Sequence, residues 1–130
     1  MTTEAQTTAS RFWIEDGILK SEVLRPVSLT SQQVIESIDV MWEMTGGRPM
    51  PRLAFMDGVM YLDKEARELY ARDERSVQMI SAMALVGRSY DAQFISDFAS
   101  KATSAPFPVG VFRDEASAVE WLQRSVDSAE

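Results

Sequence analysis

The chain has 130 residues, of which 45% are apolar and 25% charged, so it fits one globular domain with an ordinary hydrophobic core rather than a disordered or fibrous chain. Twenty acidic against thirteen basic residues leave a formal charge of −7, a field that repels phosphate backbones and anionic lipid surfaces and argues against a nucleic-acid partner. Cysteine and histidine are both absent, which excludes disulfides, thiolate nucleophiles, zinc fingers, Cys-ligated clusters and imidazole bases.

Any catalysis is left to carboxylates, Ser, Tyr, Lys or a borrowed cofactor, and no cofactor is expected. The opening MTTEAQTTAS has neither the basic start nor the apolar core of a signal peptide, and no apolar run reaches the length of a membrane span. A cytoplasmic, soluble protein is the expectation.

Residues 1–10 show no periodicity and are read as a disordered tail, with a single domain over 11–126. From Arg11 to Glu15 polar and apolar side chains alternate, Asp16-Gly17 follows, and a second run spans Ile18 to Leu24. Asp-Gly between two such runs predicts a hairpin, because a type I′ turn needs positive φ at both central residues. Pro26 is read as the end of the second strand. Ser28 or Thr30 can then cap a helix in which Val34, Ile35, Ile38, Met41 and Trp42 recur at helical spacing, and Gly46-Gly47 ends it.

After the Arg48-Pro49-Met50-Pro51 link, Leu53 to Met56 is a short apolar run without alternation, the signature of a strand covered on both faces. Asp57-Gly58 follows, and Asp63 opens a helix from Lys64 to Asp73 with Leu62, Ala66, Leu69 and Tyr70 on its inner side. A strand is assigned within Gln78 to Val86, closed by Gly87. A helix over 91–102, a fifth strand over Val109 to Phe112 and a last helix from Glu115 to Val126, capped by Asp114, complete the chain.

The order ββαβαβαβα implies an α/β fold with a five-stranded mixed sheet and four helices. Crossovers of this length require parallel pairing, so strands two to five are expected to be parallel and strand one antiparallel.

This order, the segment Gly58-Val59-Met60-Tyr61-Leu62-Asp63 and the closing Val111-Phe112-Arg113-Asp114-Glu115-Ala116-Ser117-Ala118-Val119-Glu120-Trp121-Leu122 together resemble STAS or SpoIIAA-like domains over roughly residues 11–125. A closing helix of this type recurs in small bacterial proteins. The resemblance implies a regulatory, non-catalytic role like that of anti-sigma-factor antagonists, whose switch lies where strand three enters helix two. There a glycine–valine–x–aromatic–apolar–Asp segment precedes two serines, the second of which a partner kinase phosphorylates. Gly58, Val59, Tyr61, Leu62 and Asp63 match that segment, whereas Lys64 and Glu65 stand where the serines would be and Ala66 replaces the following glycine. No hydroxyl is present there to take a phosphate. Glu65 instead brings a fixed carboxylate to the first helical turn, where negative charge is favourable.

The candidate surface is accordingly the junction of strand three and helix two: Asp57, Gly58, Tyr61, Asp63, Lys64 and Glu65. Asp57 stands at the carboxyl end of a parallel strand, where open α/β sheets place ligands. With Asp63, Glu65 and Glu68 it offers the oxygen donors of a carboxylate-based magnesium enzyme, although an Asp-Gly turn and a charged helix start account for the same residues. Helices expected mostly on one face would leave an apolar sheet face uncovered, and two occupants suit it. One is a second copy of the chain in a homodimer, the other a small apolar ligand or lipid; another regulatory protein is the remaining partner class.

Overall fold

The computed structural model describes residues 3–62, 64–87 and 106–129. Among them run, in order, β1 (Glu4–Gln6), β2 (Ser10–Glu15), β3 (Ile18–Val23), β4 (Val27–Leu29), α1 (Ser31–Thr45), β5 (Met50–Phe55), β6 (Val59–Leu62), α2 (Lys64–Arg72), α3 (Glu74–Met79), β7 (Ile80–Val86), β8 (Val109–Phe112) and α4 (Glu115–Ala129). The helix expected over 91–102 lies outside the described residues.

The main sheet has six strands in the order β1-β2-β3-β5-β7-β8. The expected five are its core: β3, β5, β7 and β8 pair in parallel, and β2 runs antiparallel to β3. Asp16 and Gly17 both have positive φ (55° and 76°), as the hairpin required. Two corrections concern strand number. The segment read as a disordered tail contains β1, an edge strand whose Ala5 pairs with Phe12 and packs on the core; three residues are too few to reveal alternation. Beyond the main sheet, β4 and β6 form a separate parallel pair.

That small sheet continues the β3–β5 ladder past a shared bend. Both chains leave the main sheet, at Leu24–Pro26 and at Met56–Gly58, and pair again one step on, with the Val27 N–H donating to the Gly58 carbonyl at 2.9 Å. Pro26 lacks an N–H and interrupts the ladder, but interruption is not termination, and the strand resumes at Val27.

Three more boundaries move. Met50 and Pro51, read as link, already belong to β5. The single helix expected from Lys64 to Asp73 is followed at once by α3, because Asp73 adopts an extended backbone and accepts hydrogen bonds from the N–H groups of Arg75 and Ser76. Gln78 and Met79 consequently end a helix instead of starting a strand. Thr30 proves to be the cap of α1, in a full capping box with Gln33, and Gly46 closes the helix in the left-handed conformation.

The strand registers sort the side chains cleanly. One face of the sheet carries Phe12, Leu19, Ala54, Met83 and Leu85, packed against Val34, Ile38 and Met41 of α1, Ala66 of α2 and Met79 of α3. The other carries Ile18, Leu53, Ala82, Ala84 and Val86, packed against Ala118 and Leu122 of α4. Three of the four described helices thus lie on one face, as expected, but α4 covers the other, which corrects the expectation of an uncovered apolar face. The near-continuous apolar runs of β5 and β7 follow from this two-sided burial.

On the second face Lys20 is 3% exposed and binds carboxylates from two elements, Glu15 at the end of β2 and Glu115 at the start of α4, the latter at 3.0 Å. This knot fixes the beginning of α4 to the sheet. Burial disfavours the Lys20 charge, but hydrogen bonds to Glu15 and Glu115 outweigh it and hold the ammonium pKa above its usual value. The hydrogen bond from Lys20 holds the Glu15 pKa below the ordinary carboxylate range.

Candidate functional site

Of the junction residues singled out in the sequence, Asp57 and Gly58 form the turn between β5 and β6 and are half-buried. Gly58 has φ +93°, and a Cβ there would lie 2.7 Å from Val23 Cγ2, so both the backbone angle and the neighbouring strand demand glycine. The backbone of Tyr61 pairs with Ser28 in the small sheet. Lys64 and Glu65 open α2 and are exposed, as is Met60, at 67%. Asp63 lies outside the described residues. Among the described residues no three carboxylates converge to hold a metal ion. The junction is thus a turn and a solvated helix start, and its side chains do not gather into one site.

The residues that do come together lie underneath it. The bend that carries β4 and β6 out of the main sheet leaves a pocket against the first face, with an empty volume of about 450 Å³, part of it open to solvent. Ser10 and Phe12 of β2, Ser21 and Val23 of β3, Arg52 and Ala54 of β5, and Met83 and Leu85 of β7 form its floor. Leu29, Val59 and Tyr70 close it from β4, β6 and α2.

In this apolar setting sits a cation. Arg52 is 3% exposed; its ladder neighbours are Leu19 and Met83. The Nη2 group donates a long, 3.5 Å hydrogen bond to Ser21 Oγ, while Nε and Nη1 are buried without an acceptor. The guanidinium carbon lies 4.6 Å from the centre of the Tyr70 ring, a cation–π contact. Among the described residues lining the pocket the one acid, Glu22, is taken by Arg11 at 3.1 Å.

Tyr70 is itself held. The Ser76 hydroxyl, fully buried, donates to the Tyr70 carbonyl at 2.6 Å, and Ser76 is fixed in turn by the Asp73 cap. The break between α2 and α3 therefore positions the ring over Arg52. Arginine cannot shed its charge at any ordinary pH. A guanidinium buried with two idle donor groups is costly to the fold, so its surroundings call for an acceptor.

Arg52, between the Arg48–Pro51 link and the apolar run from Leu53, carries no role in the sequence reading. The available signal was a cation inside a segment, Pro51 to Phe55, that is buried on both faces. Tyr70 was placed on the inner side of its helix, where it is, but without a partner.

The model of a domain of unknown function, DUF7793, matches residues 12–126. The chain belongs to the DUF7793 family. A crystal structure of an uncharacterized protein of the DUF3478 family with a SpoIIAA-like fold, from Shewanella loihica PV-4, superposes on this DUF7793 chain with a TM-score of 0.66 at 15% identity. The superposition covers 91% of this chain and 97% of the other. At that identity the likeness carries the fold alone, and it bears out the SpoIIAA-like resemblance drawn from the element order. Comparison with curated proteins gives no match. No helix among the described residues of this DUF7793 chain is long and apolar enough to cross a membrane.

Proposed function

We propose that this DUF7793 domain is a non-catalytic binding domain that takes a small ligand with an apolar body into the pocket between the sheet and α2, and that occupancy serves a regulatory role. The observation that supports it is the pocket itself: a concave, mainly apolar space with a few convergent polar groups is the usual form of a small-molecule site. Its walls come from the main sheet, the β4–β6 pair and α2, so a ligand would touch every element next to the exposed Met60, Lys64 and Glu65. A change in α2 on binding is then a change in that outer surface, which suits contact with another regulatory protein.

The homodimer loses its first motivation, because Leu53, Ala84 and Val86 on the second sheet face are buried by α4 of the same chain. Sedimentation velocity is expected to give a monomer.

Binding of a neutral solvatochromic dye tests the pocket. Ala54 lies on its floor with 6% exposure, and Ala54→Phe fills the space. The dye is expected to bind the natural chain and to lose most of its affinity for the filled variant. Equal binding to both would overturn the pocket as the site.

A further inference from the structure

We propose that the ligand of this pocket is a small monocarboxylate with an apolar body, seated with its carboxylate on Arg52; the inference rests on the pocket being a binding site. Three observations converge. Arg52 is 97% buried, permanently charged, and keeps two of its three nitrogens, Nε and Nη1, without an acceptor. Both two-pronged edges of a guanidinium include one N–H of Nη2 beside one of these idle nitrogens; Ser21 takes one of the two Nη2 hydrogens, and the other edge can receive a carboxylate in the bidentate manner. The described lining brings no free acid, since Glu22 is engaged by Arg11.

The charge and the walls narrow the class. Among the described residues no second cation lines the pocket, so one negative charge is matched and a dianion is not. Tyr70, Met83, Leu85 and Val59 in the pocket wall would leave the hydrophilic body of a sugar or an inorganic anion unsolvated, whereas an aromatic or short aliphatic body suits them. A carboxylate seated there would supply the acceptor that Nε and Nη1 lack. The cation–π contact takes up none of the guanidinium N–H donors, so Tyr70 holds the anchor without competing for the ligand.

The test is a ¹H–¹⁵N NMR titration of the full chain with benzoate, benzyl alcohol and inorganic phosphate, following the Arg52 Nε–H signal and the backbone amides of β5 and α2. Charge-assisted hydrogen bonds predict that benzoate binds roughly tenfold to a hundredfold more tightly than benzyl alcohol and shifts the Nε–H signal. Arg52→Met is expected to erase that preference. Ser21→Asp supplies an internal carboxylate beside Nη2, and is expected to abolish the preference as well while raising the melting temperature, so the result does not depend on one variant folding. Equal affinity for acid and alcohol would overturn the carboxylate assignment and leave the pocket standing. Phosphate binding tighter than benzoate would overturn the apolar body. Failure of both benzoate and benzyl alcohol to bind, together with failure of the neutral dye, would overturn the site as well as its ligand.

Discussion

Gly58 is the point at which the local backbone and the bend of two strands meet, and its replacement by alanine separates their contributions. At φ +93° an alanine is held outside the regions open to L-residues, which costs about 1–3 kcal/mol. The new methyl would lie 2.7 Å from Val23 Cγ2. Val23 is β-branched and stiff at χ1 in β3, so it cannot swing away freely; overpacking of this kind costs about 1–3 kcal/mol. With both present, a loss near 4 kcal/mol is expected. A chain of 130 residues has an unfolding entropy of about 0.27 kcal/mol/K, so the melting temperature should fall by roughly 15 °C. The assay is urea unfolding of Gly58→Ala, Val23→Ala and the double variant. Val23→Ala removes the collision but not the backbone strain, so the cycle should show a favourable coupling of about 1–3 kcal/mol. A Gly58→Ala loss under 1 kcal/mol would refute the turn geometry. A large loss with no coupling would refute the contact with Val23 and leave only strain.

The other predictions concern the cover of the second face, the ion-pair knot and a helix cap. Leu122→Ala removes a fully buried side chain of α4 from among Ile18, Leu53 and Ala84, and should lower the urea-derived stability by about 2–5 kcal/mol; a loss below 1 kcal/mol would mean that α4 does not seal that face. Because the folded-state pKa of Lys20 is raised, its contribution is complete below the unfolded value of about 10.4 and disappears as pH rises through the folded value. The lowered pKa values of Glu15, held by Lys20, and Asp114, held by the Ser117 N–H, act in the opposite sense: their contribution is complete above about pH 4–4.5 and is lost as pH falls through the folded values. Stability should therefore be level between about pH 5 and 10, and Lys20→Met should flatten the alkaline decline and weaken the acid one; an unchanged pH profile in guanidinium unfolding would show the knot to be irrelevant. Thr30→Ala should cost about 1 kcal/mol and Thr30→Gly only a few tenths, a difference that disappears if the capping box of α1 contributes nothing.

Elements defined by local chemistry were legible in the sequence. The Asp16-Gly17 hairpin, the Thr30 start and Gly46 stop of α1, and the Asp114 cap of α4 each rest on a residue type with one preferred geometry, and each stands in the structure. The parallel order of β3, β5, β7 and β8 followed from connection length. What escaped was decided by tertiary partners. β1 is three residues that are strand-like only because β2 offers an edge, and β4 and β6 exist because two chains bend together around Gly58. The division of α2 from α3 turns on Asp73 acting as a cap within a charged stretch, where many acids look alike.

The candidate site shows the same boundary more sharply. Attention fell on Asp57 to Glu65 because strand ends in α/β sheets are where ligands gather, yet the converging residues flank that stretch: Arg52 and Tyr70 are eighteen positions apart in sequence, and the guanidinium carbon lies 4.6 Å from the ring centre. Strand parity places Arg52 on the same face as Ala54, and helical periodicity places Tyr70 with Ala66 and Leu69, so each orientation was derivable. Their meeting was not, since it depends on the break at Asp73 and on the Ser76 hydrogen bond that fixes the Tyr70 carbonyl. Ser76→Ala should accordingly release the ring without touching the pocket floor. In the benzoate titration this variant is expected to keep the preference for acid over alcohol, which belongs to Arg52, while weakening both ligands alike, because the apolar roof over the guanidinium is loosened. Loss of the preference itself in Ser76→Ala would mean that Tyr70 sets the charge recognition, and the assignment of that role to Arg52 would fall.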